Sequence, residues 1–438
     1  MTLRISVIGT GYLGTTHAAG MAEFGHEVIG VDVEPERVKL LNSGQAPMYE
    51  VNLDPLLERH TASGRLRFTT DYADIADWAD VHFICVGTPQ APSGAADLAQ
   101  INSVRDGLAP LLTKPTLIVN KSTVPVGTAS ALRQQIRALA PAGDAVDLAF
   151  NPEFLREGLA VEDTLRPDRI VLGIEDEVSL AILDQVYAIP FSEDTPRVIT
   201  NFATAELIKN AANAFLATKI SFINAMAQLC QATGGDVTQL ADAIGYDKRI
   251  GRGMLNAGLG FGGGCIPKDI RALAYSADEH GVDVLSNLIE SVEKINNGQR
   301  AEVTQLAVDQ LGGSVDGKRV AVLGASFKPG TDDTRNSPAL TVADQLHARG
   351  AEVIIFDPQA KLAPRENFTQ VDTVEAAVRD ADIVLHLTEW PEFRNLDPAA
   401  LADLVKTKII IDARLKLNPA TWHVAGWKLV QLGRAATL

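Results

Sequence analysis

Short runs of aliphatic and β-branched residues alternate with helix-length stretches at both ends of this 438-residue chain. Arg4-Ile-Ser-Val-Ile8 is strand-forming and runs at once into Gly9-Thr-Gly11-Tyr-Leu-Gly14. A helical stretch over 16–24 follows, then Gly25, then a second strand-like run over 27–31 that ends at Asp32. The texture continues through 81–86, 116–119 and 146–150, with helical lengths between them. Such spacing predicts a parallel, doubly wound sheet. From residue 203 the texture changes to a long alanine-rich pattern over 203–233 without Gly or Pro, a shorter helix over 237–244 and a long one over 282–311. After Gly312-Gly313 the first pattern returns: Arg319-Val-Ala-Val-Leu-Gly324 echoes the first strand and Ala351-Glu-Val-Ile-Ile-Phe-Asp357 the second. The predicted fold is therefore α/β, two Rossmann-like doubly wound domains joined by a helical central domain, with boundaries at 1–200, 201–312 and 313–438.

Composition narrows the classes of partner. With 39 Lys and Arg against 55 Asp and Glu, the formal net charge is −16, which opposes nucleic acid and anionic lipid as bulk partners. No apolar run approaches the ~20 residues of a membrane helix, and the start is not read as a signal peptide, so a cytoplasmic protein is expected. Cys85, Cys230 and Cys265 are too few and too unevenly spaced for a disulfide framework or a CxxC metal site. They suit a reducing compartment, and no metal is expected.

Three features carry chemistry. The GxGxxG pattern opens a helix directly after a strand, and Asp32 follows its first glycine by 23 residues. Glycines there permit the tight turn and bring backbone close to a pyrophosphate at the helix N-terminus, while a strand-end acid accepts from ribose hydroxyls and disfavours a 2′-phosphate. NAD is the expected cofactor; Arg37 either stacks on its adenine or is simply solvated. Cys85 and Cys230 sit among apolar residues and read as core. Cys265 instead ends the glycine-rich run Gly258-Leu-Gly-Phe-Gly-Gly-Gly-Cys265 and precedes Ile-Pro-Lys268-Asp269. Exposed backbone N–H groups and a nearby ammonium favour a thiolate, which can attack a carbonyl carbon. Finally, Lys209 and Asn213 lie four apart and share a helix face. A Lys buried there needs an anionic partner.

Together these residues resemble the UDP-glucose/GDP-mannose dehydrogenase family over nearly the whole chain, through NPEFLREG (151–158), AELIKNAANAF (205–215), GFGGGCIPKD (260–269) and SFKPGTDDTR (326–335). The resemblance implies oxidation of the C6 alcohol of a nucleotide sugar, UDP-glucose, to the carboxylate, with two NAD+ reduced. GDP-mannose or another UDP-hexose is the alternative substrate. More distant alternatives are a single-step hydroxyacid dehydrogenase and a non-catalytic nucleotide-sugar sensor.

The same resemblance implies that Asp269 and Thr123, through water, take the hydroxyl proton. Cys265 would form a thiohemiacetal and then a thioester, Lys209 and Asn213 would stabilise charge on the C6 oxygen, and Glu153 would be the base for hydrolysis. It implies cofactor contacts for Gly9, Gly11, Leu13, Gly14, Asp32, Arg37, Thr88, Thr123, Glu157, Lys268 and Arg335. Substrate contacts are implied for Glu153, Phe154, Leu155, Arg156, Glu157, Lys209 and Asn213. They extend to Met254, Leu255, Asn256, Ala257, Gly258, Gly262 and Lys328. Arg249 would reach a neighbouring subunit's sugar, making a homodimer or larger homo-oligomer the expected unit. Where many relatives have Ser before the nucleophile this chain has Gly264, which keeps a backbone N–H and loses a hydroxyl.

Overall fold

The computed structural model describes residues 2–434, which divide into two compact units, one of residues up to 212 with 271–280 and one of 213–270 with the chain from 281 onward. In the first, an eight-stranded sheet is built from β1 (Arg4–Ile8), β2 (Glu27–Val31), β3 (Leu66–Thr69), β4 (Val81–Ile84), β5 (Thr116–Asn120), β6 (Val146–Phe150), β7 (Ile170–Gly173) and β8 (Arg197–Thr200). Its order is β3-β2-β1-β4-β5-β6-β7-β8. Strands buried on both faces, such as β1 with Ile5, Val7 and Ile8 each at most 2% exposed, explain the unbroken apolar runs of the sequence.

The sheet departs from all-parallel at one point, where β6 meets β7 antiparallel through Phe150 and Gly173. The connecting segment holds one helix, Ala160–Leu165.

Helix Tyr12–Glu23 starts four residues earlier than the apolar pattern suggests, because the glycine turn itself enters the helix with Gly11 as N-cap. It buries every residue from Gly14 to Ala22. A Cβ at Gly14 would lie 1.8 Å from the Gly9 carbonyl oxygen, so only glycine lets the helix pack so closely on the turn.

The second unit holds a six-stranded, wholly parallel sheet of β9 (Arg319–Leu323), β10 (Glu352–Phe356), β11 (Thr369–Gln370), β12 (Ile383–His386), β13 (Ile409–Asp412) and β14 (Lys428–Gln431). The order is β11-β10-β9-β12-β13-β14. Val320, Val322, Leu385 and Ile411 form its core with Val342 and Leu346 of helix Pro338–His347. Val303, Ala307 and Val308 of the long helix Asp283–Gln310 join that core. The alanine-rich pattern is helix Phe202–Thr233. A helix not foreseen from sequence, Ile266–Glu279, begins directly after Cys265, with Pro267 in its first turn, where a missing N–H costs nothing.

Candidate active site

The first turn of the eight-stranded sheet leaves an open cradle. Gly9 has φ +87°, and a Cβ on it would lie 2.8 Å from Val86 Cγ1. A Cβ on Gly11 would meet nothing within 4 Å, and no side chain caps the helix there. The first-turn N–H groups therefore face a space able to admit a diphosphate. Leu13 is half-buried in the same turn.

At the end of β2, Asp32 is 6% exposed. One of its oxygens accepts from Thr10 N at 2.8 Å and Thr10 Oγ1 at 2.9 Å, and the other from Glu34 N at 3.1 Å. Burial would raise its pKa, but these bonds and the Arg37 guanidinium hold it below the usual value. Arg37, its side chain 37% exposed, also lies 3.0 Å from Asp32. The residues fit a dinucleotide: an uncapped helix N-terminus, room for backbone approach and an ionised strand-end acid.

Beyond β4, β5 and β6 the loops supply polar groups within the same unit. Thr88 donates to the Thr123 carbonyl at 2.8 Å, tying two of them together. Glu153 and Lys209 form an ion pair of 2.8 Å with side chains 11% and 4% exposed, so the buried ammonium has its anionic partner. Glu153 also accepts from Leu155 N at 2.7 Å. Burial acts to raise the Glu153 pKa, yet Lys209 and, at longer range, Lys121 bring it below the ordinary value. Lys209 also lies over the Phe154 ring. Arg156 forks onto Asp163, and Glu157 is 9% exposed.

Four residues that hold these loops escaped the sequence reading as site residues. Glu50 accepts from Tyr12 Oη, from Gly158 N at 2.6 Å and from Ala160 N at 2.8 Å, fixing the exit of the NPEFLREG segment. Asn151 accepts from Lys121 Nζ at 2.9 Å and from Tyr187 Oη at 2.5 Å, fixing its start. Glu206, on the long helix, accepts from Gly127 N and Ala129 N, both at 2.7 Å, and caps helix Thr128–Leu139. Burial raises its pKa against those two bonds. Lys121 was visible as part of KSTVP, but a lysine after a strand carries no mark of burial, and Glu50 lies in no motif at all.

In the second unit Asp269, 1% exposed, accepts from Asn213 Nδ2 at 2.7 Å on one oxygen and pairs with Lys268 at 2.8 Å on the other. Asn213 is 8% exposed. The Lys268 ammonium, expected to favour the thiolate, pairs with Asp269. Cys265 is exposed and stands immediately before helix Ile266–Glu279, its carbonyl accepting from Asp269 N at 2.9 Å. Aligned peptide dipoles there favour an anion, a source of activation that glycine content alone did not reveal. Arg335 is held by Asp333, and a Cβ at Gly264 would lie 2.4 Å from its guanidinium carbon. The absent serine thus leaves its place to an arginine.

The glycine-rich segment is pinned from several sides. Gly258 N donates to Asn224 Oδ1 at 2.8 Å, Arg252 donates to Asn256 at 3.0 Å, and a Cβ on Gly262 would lie 2.5 Å from the Asn336 carbonyl oxygen. Leu255 and Ala257 are buried, and Met254 adopts φ +64°. Lys328 lies over the ring of Phe327. Arg249 pairs with Asp247 at 2.6 Å, its side chain 89% exposed.

The chain matches three models of the UDP-glucose/GDP-mannose dehydrogenase family: the NAD binding domain over 3–190, the central domain over 203–298 and the UDP binding domain over 321–419. It is 40% identical over 442 residues to the UDP-glucose 6-dehydrogenase YwqF of Bacillus subtilis, covering 100% of this chain and 99% of that one. Among solved structures, a UDP-glucose dehydrogenase from Pyrobaculum islandicum superposes with TM-score 0.91 at 36% identity, covering 100% of this chain and 98% of that one. A UDP-D-ManNAc dehydrogenase from Pyrococcus horikoshii gives TM-score 0.88 at 28% identity, with coverage of 99% and 100%.

Proposed function

This chain belongs to the UDP-glucose/GDP-mannose dehydrogenase family, NAD-dependent oxidoreductases of nucleotide sugars, and on that premise we propose that it oxidises the C6 alcohol of UDP-glucose to the carboxylate of UDP-glucuronate in two steps. The observation that carries the mechanism is Cys265, exposed at a helix N-terminus one turn before an Asp269 gripped by Asn213 and Lys268. NAD, held by Gly9, Gly11, Leu13, Gly14, Asp32 and the Thr88 and Thr123 loops, supplies the hydride acceptor.

Asp269, with Thr123 through water, receives the C6 hydroxyl proton. The Cys265 thiolate then adds to the aldehyde carbon, so that the second hydride leaves a thiohemiacetal and a thioester results. Lys209 and Asn213 present an ammonium and an amide to the negative C6 oxygen. In the resting enzyme Lys209 neutralises Glu153. Once the ammonium turns toward the substrate oxygen, Glu153 regains basicity and takes a proton from the water that cleaves the thioester. Lys328 and the 254–262 segment hold the nucleotide diphosphate.

Phe215, Phe222 and Leu229 recur every seven residues on the long helix and are 66%, 51% and 53% exposed. An apolar stripe of this kind marks a protein interface and supports a homodimer or larger homo-oligomer, with Arg249 serving the neighbouring sugar.

The test is product mass and NADH yield over a panel of UDP-glucose, GDP-mannose and UDP-N-acetylmannosamine. Two NADH per UDP-glucuronate formed, and preference for UDP-glucose, are expected. Preference for another sugar overturns the substrate, and one NADH per sugar overturns the thioester. Cys265→Ala is expected to keep NAD binding and lower turnover by at least ~10³-fold.

A further inference from the structure

Behind the Asn151-Pro-Glu153 turn the first unit holds a cleft of about 50 Å³, room for a few water molecules. Its inner wall carries His17, Met21, Lys121, Asn151, Glu153 and Tyr187, and its outer wall runs from Asp163 and Thr164 to Arg169. The Arg169 guanidinium covers the Phe154 ring at 3.6 Å and forms one edge.

Two inner groups are provided for incompletely by the protein. His17 is 2% exposed, and its Nε2 has no hydrogen-bond partner among the described residues. Its ring packs edge-on to Phe83 with centroids 4.4 Å apart, which fixes its direction. The Lys121 ammonium is 8% exposed and is bonded to Asn151 Oδ1 at 2.9 Å. That single acceptor leaves further N–H capacity on a group that carries three donors. Burial brings the Lys121 pKa down to about 8, with the charge of Lys209 acting in the same direction. Burial likewise holds His17 neutral, well below its usual value.

A buried ring nitrogen without a partner is costly, and a polar cavity of this size is where bound water satisfies such groups. An anion would meet Lys121, but it would also meet the carboxylates of Glu153, Asp163 and Asp168. A hydrophobic ligand would strand His17 and Lys121. Water alone suits all of them.

The geometry points to this cleft as the store and access route of the hydrolytic water, ordered by His17 and Lys121 and delivered to Glu153 from the side of helix Tyr12–Glu23. The inference rests on the proposed reading of Glu153 as the hydrolysis base. A water oxygen attacks the thioester carbon as Glu153 takes one of its protons. The carbon–sulfur bond breaks, the carboxylate leaves, and the sulfur of Cys265 departs as thiolate. The other proton of that water leaves the nascent carboxylic acid for the water file, and the proton held by Glu153 follows it. A separate supply serves the final step, which consumes water, without opening the oxidation site to bulk solvent.

The test is rapid mixing of enzyme with UDP-glucose and NAD, with the NADH burst, the steady-state rate and the intact mass of the protein read together. Thr164→Leu narrows the outer wall, and His17→Phe removes the inner acceptor or donor while keeping the ring on Phe83. Both are expected to keep the burst within twofold, to slow steady turnover roughly tenfold and to accumulate a sugar-derived acyl adduct on Cys265. Folded variants that turn over like wild type without adduct overturn the water route. Glu153→Gln is the separate control: if it accumulates no adduct, the hydrolysis-base reading fails, whatever the cleft variants do. Should both cleft variants misfold, a crystal structure of the wild-type protein decides. Ordered water bonded to His17 Nε2 and Lys121 Nζ supports the route, and a dry cleft overturns it.

Discussion

In both sheets the first strand runs into a glycine of positive φ and the second ends in an aspartate: Gly9 at +87° with Asp32, and Gly324 at +109° with Asp357. In both, that aspartate accepts from the backbone N–H after the glycine, Thr10 at 2.8 Å and Ala325 at 2.7 Å. The likeness ends there. After Gly9 a helix begins at Tyr12, whereas after Gly324 it begins only at Pro338, and the intervening loop carries Lys328 and Arg335.

Besides Thr10 Oγ1 and Glu34 N, Asp32 has Arg37 as a partner, a side chain 37% exposed and able to swing away. Asp357 is enclosed by Ser326 N and Oγ, Gln359 N, Ala360 N and the Trp390 indole. One carboxylate keeps a place for a ligand, and the other has become a structural hub. A Rossmann-like first turn binds a dinucleotide only where its acceptors remain within reach of solvent.

The comparison breaks most readily at Asp357. Asp357→Ala strands several buried donors and is expected to destabilise the second sheet by ~3–5 kcal/mol, read as loss of its transition in denaturant melts. Next comes Gly11→Val. Its Cβ meets nothing, so the melting temperature is expected to change little. The side chain fills the cradle and should weaken NAD about 100-fold, ~2.7 kcal/mol, measured by calorimetry. A variant that melts early but binds NAD normally would make Gly11 structural, like Gly324.

A third effect is acid sensitivity. Burial lowers the pKa of His26, and takes that of His82 in β4 to about 3. The unfolded chain therefore takes up protons below about pH 6.5 that the fold refuses, and stability falls as pH drops from 6.5 toward 3. The slope is roughly 1 kcal/mol per pH unit per histidine. In the second sheet Asp412 is pushed up by burial but held below its ordinary value by His386 together with the Leu417 and Gln431 hydrogen bonds, and its contribution is lost only below its unfolded value of about 4. Hydrogen exchange at pH 5, corrected for intrinsic rates, is expected to loosen β4 before β12.

Much of this was legible before any coordinates. The strand runs, the repeat at 319–357, the core positions of Cys85 and Cys230 and the need of Lys209 for an anion all follow from local pattern and burial. What stayed hidden depends on contacts distant in sequence. The antiparallel β6–β7 step rests on the single pairing of Phe150 with Gly173, and the helix behind Cys265 emerges only from reading Pro267 as a start instead of a break. Glu50 and Glu206 hold loops by accepting backbone N–H groups, and neither bond leaves any trace in residue spacing. The Arg37–Asp32 pair shows how a residue foreseen as a ligand contact also serves the fold when no ligand competes.

The proposed association through Phe215, Phe222 and Leu229 would tie the behaviour of this chain to dilution. Three bulky apolar side chains left facing water on one rod invite self-association, so heat resistance and specific activity should both climb with protein concentration. Values taken at nanomolar levels would then describe a different molecular population from those taken at micromolar levels.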